Sequence, residues 1–210
     1  MVYAVVITEK NNKKIKLCSQ VLKTIHEYIQ LEDSDAEAGG IIAGRENIGN
    51  SNIVLEYVTE PMKNDVRTRT KYLRKDTGHL DYYKKLYNEN SGIYAYYGEW
   101  HTHPEDRPCY SLTDLVNWRK ISKEDIKEVQ YHLIAGRKYM TMWKMKKGCL
   151  IPDKICEVKW DEIFFKKIGS KCETSYSNNC FVISGNITDP FRCFRGSRKT
   201  TGNYSVSKVV

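Results

Sequence analysis

The chain is short of what marks secreted and membrane proteins. Its 210 residues hold no apolar run approaching the roughly 20 residues of a membrane span. The opening MVYAVVITEKNN meets charge too early for a secretory signal, so the expected location is the cytoplasm. Seven cysteines stand at 18, 109, 149, 156, 172, 180 and 193, an odd count with no CxxC pair. That pattern matches neither a disulfide framework nor a zinc finger or ribbon, and it reads as reduced thiols. Acidic residues are the minority, 26 against 34 Lys and Arg, for a formal net charge of +8. The excess is uneven, because eight Lys and Arg but only Glu173 and Asp189 lie from Lys166 onward. A globally basic surface would point to nucleic acid, whereas here the charge belongs mainly to a tail. Nucleic acid is therefore not the expected partner, and neither is a membrane.

What is present suits a soluble α/β domain, with 40% hydrophobic and 29% charged residues. VYAVVIT (2–8) reads as a buried strand. Val21, Leu22, Ile25, Tyr28 and Ile29 fall on one face of a helix over 19–32, with Ser19 as N-cap. EAGGIIAGRE (37–46) carries three glycines and suits a tightly packed strand. Further strands are expected at 51–61, 69–74 and 92–104, and helices at 79–90 and from 112. A hairpin over 128–148 should turn at Ala135-Gly136-Arg137-Lys138, and KICEVKW (154–160) is the last candidate strand. The expected organisation is one domain over 1–168 and a basic, weakly structured extension over 169–210.

The chemistry concentrates in YYGEWHTHPEDRPCYSLTD (96–114). Residues i and i+2 of a strand share a face, so His101 and His103 point the same way, and Pro104 ends the strand beside them. Asp114, eleven residues on, can return a carboxylate to the two imidazoles. Two His and one Asp leave a fourth tetrahedral position open, the arrangement of a catalytic metal rather than a structural one. Such an ion acidifies water and polarises a carbonyl. A general base is also required. Glu99 lies on the His101 face, and Glu37 opens the glycine-rich strand; position alone does not choose between them. Read by itself, SLTD is also a capping box, Ser111 at the N-cap and Asp114 three residues on. The two roles are compatible, since helix N-termini favour negative charge.

His101-Thr102-His103-Pro104 followed by Ser111 and Asp114 resembles the JAMM (MPN-plus) signature of zinc metalloproteases. Every spacing of that signature is met, and Glu37 matches its upstream glutamate, which favours Glu37 over Glu99. The resemblance implies a cytidine-deaminase-like fold with a central mixed sheet flanked by helices. It implies one zinc ion on His101, His103 and Asp114, with Glu37 moving the proton and Ser111 bonding the oxyanion. Glu99 would support these residues from behind. YLRKDTGHLDYY and GIYAYYGEWHTHPEDRPCYSLTDLVNW further resemble the compact bacterial branch found beside ubiquitin-like conjugating systems in anti-phage CBASS operons. That branch implies a deubiquitinase-like isopeptidase whose protein substrate is a conjugated nucleotidyltransferase, a cyclic-oligonucleotide synthase joined through its extended C-terminal tail. Cys109-Tyr110 departs from the proline-rich approach expected before Ser111. The alternatives are a peptidase trimming a sulfur-carrier or phage-tail precursor, and a non-catalytic binding module.

Arg67, Arg69, Lys71 and Arg74 form a basic run that either guides a substrate tail or lines a solvated strand. His79, His132, Trp100 and Trp118 read as structural, and Cys109 as a bystander.

Overall fold

The computed structural model describes residues 4–164 and 180–183. Strands β1 (Ala4–Thr8) and β2 (Lys14–Leu17) form a hairpin whose turn includes Asn12 at φ 64°. Helix α1 (Ser19–His26) follows, then β3 (Gly39–Glu46) and β4 (Ile53–Val58). A two-stranded ribbon, β5 (Val66–Thr68) and β6 (Lys71–Leu73), leads into α2 (Gly78–Glu89). Strand β7 (Ala95–Thr102) connects through α3 (Leu112–Glu124) to β8 (Val129–Ala135). The last elements are β9 (Tyr139–Lys146), β10 (Asp153–Lys159), α4 (Trp160–Phe164) and β11 (Cys180–Ile183). No helix among the described residues is long and apolar enough to cross a membrane.

Nine strands form one sheet in the order β10-β9-β8-β7-β3-β4-β2-β1-β11. The pairs β2–β4 and β7–β8 are parallel and the others antiparallel, so the sheet is mixed, as expected. Strand alternation gives each face its own core. Tyr131, Leu133 and Ala135 of β8 join Met140, Met142 and Trp100 under α1, with Val21, Leu22 and Ile25 as the helix's buried stripe. On the opposite face, Ile134, Trp143 and Met145 pack against Trp118 of α3. Trp100 pairs with Leu133 and His101 with Ile134, so the register assigns the histidine to the α3 face.

The structure departs from expectation in several places. The helix expected over 19–32 stops at His26, while Tyr28 and Ile29 leave it yet still pack on the core. Cys18, not Ser19, occupies its N-cap, without a side-chain cap bond. β2 and β5 were not foreseen, being only four and three residues long. Cys180–Ile183, within CFVISG, the one stretch of the expected extension able to form a strand, pairs with β1. The rest of that extension lies outside the described residues. Trp100 and Trp118 are buried as expected.

The glycines of β3 permit two close approaches. A Cβ on Gly40 would sit 2.1 Å from the Thr59 carbonyl oxygen, and one on Gly39 would sit 2.4 Å from the Tyr72 ring. Gly40→Ala forces backbone against backbone, so it should cost at least about 1–3 kcal/mol. Urea unfolding monitored by tryptophan fluorescence measures this.

Candidate metal centre and its cleft

The site lies where β7 ends and the crossover to α3 begins, the place where the carboxyl ends of sheet strands leave an open crevice. His101 and His103 project from the last turn-free stretch of β7 and its end. Their backbone is pinned on both sides: Thr102 N–H donates to Ala38 O at 2.8 Å, and His103 N–H donates to Ala135 O at 3.0 Å. The Thr102 hydroxyl accepts from Ala38 N–H at 2.9 Å and donates to buried Gln30 at 3.1 Å. Thr102 thus locks the histidine pair to the residue after Glu37. Neither Thr102 nor Gln30 was singled out in the sequence, because a buried threonine and a glutamine carry no metal or acid–base signal of their own.

Asp114 arrives from the first turn of α3. Ser111 caps the helix, accepting from Asp114 N–H at 3.2 Å, while its own N–H donates to Asp114 Oδ2 at 2.6 Å. The Ser111 hydroxyl donates to the same oxygen at 2.7 Å. This is the capping box expected from SLTD, and it fixes the carboxylate toward the histidines. Nε2 of His101 and Nε2 of His103 lie 3.1 Å apart. Asp114 Oδ1 is 3.3 Å from His101 Nε2, and Oδ2 is 3.5 Å from His103 Nε2.

These four atoms, two imidazole nitrogens and both Asp114 oxygens, fit a metal better than they fit one another. Ligands about 2.0–2.1 Å from a tetrahedral zinc are separated by about 3.3 Å. The separations, two of them to different Asp114 oxygens, lie near that edge, and the candidate ligand atoms, one per residue, all lie within 4.8 Å of one another. Two imidazole nitrogens facing each other can share only one proton, so the pair gains from a cation between them. Burial alone would raise the Asp114 carboxyl, but the bonds to His101, His103 and Ser111 override it and hold it well below the usual carboxylate range. Burial likewise works against charge on His103, yet the Asp114 bond and nearby acids raise it above its ordinary value.

Glu37 lines the same cleft, of about 1080 Å³, with its residue 5% exposed. Burial pushes its carboxyl up to about 7; His103 opposes the shift, Asp114 and Glu105 add to it, and the Tyr72 backbone N–H opposes it. Glu99 also faces the cleft, but its carboxylate accepts from Arg74 Nε at 2.8 Å. The ribbon β5–β6 forms one side of the cleft and the start of α3 the other.

The basic run is largely engaged within the protein. Arg67 donates to the carbonyls of Ala36 and Glu37, Arg69 pairs with Asp33, and Arg74 with Glu99. Only Lys71 of the four is an exposed cation on the cleft rim with no ion pair among the described residues. His132 is fully buried and stacks on Trp118 at 4.5 Å, which backs the α3 wall behind His101. Burial holds its imidazole down at about 3, neutral at any working pH. Cys109 is exposed and outside the ligand group, and the four described cysteines 18, 109, 149 and 156 form no disulfide.

The family described as prokaryotic homologs of the JAB domain matches residues 19–146. An Escherichia coli (strain TW11681) protein named CD-NTase/cGAS isopeptidase is 33% identical over 133 residues, covering 63% of this chain and 81% of that protein. A Vibrio cholerae protein of the same name is 32% identical over 142 residues, covering 68% and 87% respectively. A Desulfitobacterium hafniense protein solved in solution superposes with a TM-score of 0.46 at 17% identity, over 66% of this chain and 87% of its own.

A dication beside Glu37 favours its charged form. In the metal-free protein Glu37 should titrate near 7, and adding a divalent cation should move that titration to lower pH. Carboxyl carbon NMR on the folded protein, with Glu37→Gln to assign the resonance, reads both values.

Proposed function

Because the chain belongs to the family of prokaryotic JAB-domain homologs, we propose that it is a zinc-dependent isopeptidase that releases a CD-NTase from a conjugate made through the synthase's C-terminus. The observation that carries this reading is the convergence of His101, His103 and Asp114 in one cleft with the buried carboxyl of Glu37. The names of the two bacterial relatives support the substrate, and the anti-phage CBASS setting follows from it. Four described cysteines without a disulfide support a cytoplasmic location. The catalytic unit is residues 1–168, with 169–210 as a basic extension.

His101 Nε2, His103 Nε2 and one Asp114 oxygen would hold a single zinc ion. When bound, zinc supplies Lewis acidity, polarising a carbonyl and acidifying water. Glu37 does the proton work. Its carboxylate takes a proton from the attacking water and delivers it to the nitrogen of the leaving lysine or amine. A carboxyl whose ordinary value is shifted toward neutrality suits both halves of that transfer, base first and acid second. Ser111 Oγ, now donating to Asp114, turns its proton to the oxyanion as the carbonyl carbon becomes tetrahedral. The extended C-terminal tail of the substrate lies between ribbon and α3, where main-chain groups can hold it without reading its side chains.

Two outcomes test the assignment. With a purified synthase conjugate, a zinc chelator should stop release and added zinc restore it. Glu37→Gln should lower kcat by about 10²- to 10⁴-fold while zinc content stays at one per chain. Retention of full cleavage by that variant contradicts the mechanism. Trapping of conjugate by the wild-type protein without product release would favour a binding module.

Ser111→Ala should lower kcat by about 10²- to 10³-fold through the lost oxyanion donor. It should also cost about 1 kcal/mol of stability through the lost cap. Steady-state kinetics and urea midpoints separate the two effects.

A further inference from the structure

Asp65 lies outside the metal centre, yet it is the most heavily bonded carboxylate described. Its Oδ2 accepts from Met62 N–H at 2.8 Å, the Tyr72 hydroxyl at 3.0 Å and His79 Nε2 at 2.8 Å. Its Oδ1 accepts from the N–H groups of Lys75 and Asp76 at 2.9 and 3.0 Å. The side chains of Asp65 and His79 are both completely buried. The array continues inward, for His79 Nδ1 meets Thr59 Oγ1 at 2.5 Å and Thr59 Oγ1 accepts from Ile41 N–H at 2.9 Å. An ionised carboxylate can only accept, so His79 Nε2 carries a proton and donates it. Thr59 Oγ1, which accepts from β3, shares one proton with His79 Nδ1.

The order Thr–His–Asp looks like a nucleophile, its base and the base's orienting acid. The burial argues otherwise, since Thr59 is 3% exposed and its oxygen faces a backbone N–H rather than the cleft. A fold that needed only to bury this loop would do so with apolar side chains. Buried polar arrays are rarely the most stabilising choice, and their benefit is to select one arrangement.

The arrangement selected here is that of Tyr72. Its phenol is bonded to Asp65, and its ring lies over Gly39, the residue paired with His101. Its backbone N–H faces the Glu37 carboxylate. The backbone of Glu37 is held by the same ribbon, with Glu37 N–H donating to Thr68 O at 2.8 Å and Arg67 Nε donating to Glu37 O at 2.7 Å. Gln30 ties the far end of the ribbon to the metal strand, donating to Arg69 O at 2.8 Å while accepting from Thr102.

We propose that Tyr72, fixed by the buried Asp65–His79–Thr59 array, is the positioning residue that aims the Glu37 carboxylate into the cleft. The ribbon then serves as the mount of the general base as well as a wall. This rests on the isopeptidase reading above for its kinetic consequence, though not for its geometry.

Tyr72→Phe removes one bond and keeps the ring over Gly39. His79→Leu removes the array's centre, and His79→Gln keeps a donor for Asp65. A misaimed base impairs the chemical step, for which misplacements near 1 Å cost up to about 100-fold. On a synthase conjugate, Tyr72→Phe should lower kcat by about 10-fold and His79→Leu by about 100-fold. KM should stay within about twofold, zinc content should remain one per chain, and His79→Gln should recover part of the loss. Full activity in Tyr72→Phe overturns the proposal. So does a rise in KM with kcat intact, which would make the array a peptide-binding element, and so does loss of zinc. Should His79→Leu not fold, Tyr72→Phe alone decides. Should the wild-type protein cleave no conjugate, the isopeptidase reading fails by itself. The positioning role is then judged on the Tyr72 amide proton resonance, expected to move upfield in Glu37→Gln and in Tyr72→Phe. A resonance unmoved by both overturns it.

Discussion

Everything at the site depends on one carboxylate meeting two imidazoles across the gap between a strand end and a helix start. Asp114 is fixed twice over, by the N-terminus of α3 and by its reciprocal bonds with Ser111. His101 and His103 are fixed by strand alternation and by the backbone bonds of Thr102 and His103. The three donor atoms are therefore placed by secondary structure rather than by flexible loops. Such preorganisation would let a metal bind with little rearrangement. The capping reading and the metal reading of SLTD are a single device. The cap aims the ligand, and the helix dipole favours its charge.

The rest of the fold can be understood as support for that meeting. Trp118 holds α3 to the sheet by stacking on neutral, buried His132, and the small residues of β3 let Thr59 and Tyr72 close over the strand that follows Glu37. The two cores pack on opposite faces of the sheet that contains β7. The basic run uses most of its positive charge internally, on Glu99, Asp33 and the carbonyls of Ala36 and Glu37.

How much of this could be read from the residues varies with the range of the interaction. The ligands were legible because strand parity, a helix cap and an i+2 histidine pair are local patterns. Glu37 was legible only through resemblance, since nothing within its own stretch separates it from Glu99. In the structure Glu99 is ion-paired with Arg74, while Glu37 is buried near His103. The first ribbon strand β5, Gln30 and the Asp65–His79 pair were not legible. β5 is too short for periodicity, and the bonds of Gln30 and Asp65 join residues from distant stretches of the chain. His79 read as structural because a lone histidine without metal spacing carries no pattern, and its partners become visible only once α2 is laid beside the ribbon.

The separation between base and ligands in the chain has a consequence for assembly. His101, His103 and Asp114 are contained within one strand, one turn and the first turn of the next helix, so they can come together by closing a short loop. Glu37 joins them only when β3 docks on β7, a contact that spans 64 residues between Ala38 and Thr102. Closing that larger loop costs more chain entropy. The same Ala38–Thr102 bonds also pin the histidine backbone, so the candidate ligand group is held in place only once the sheet is complete.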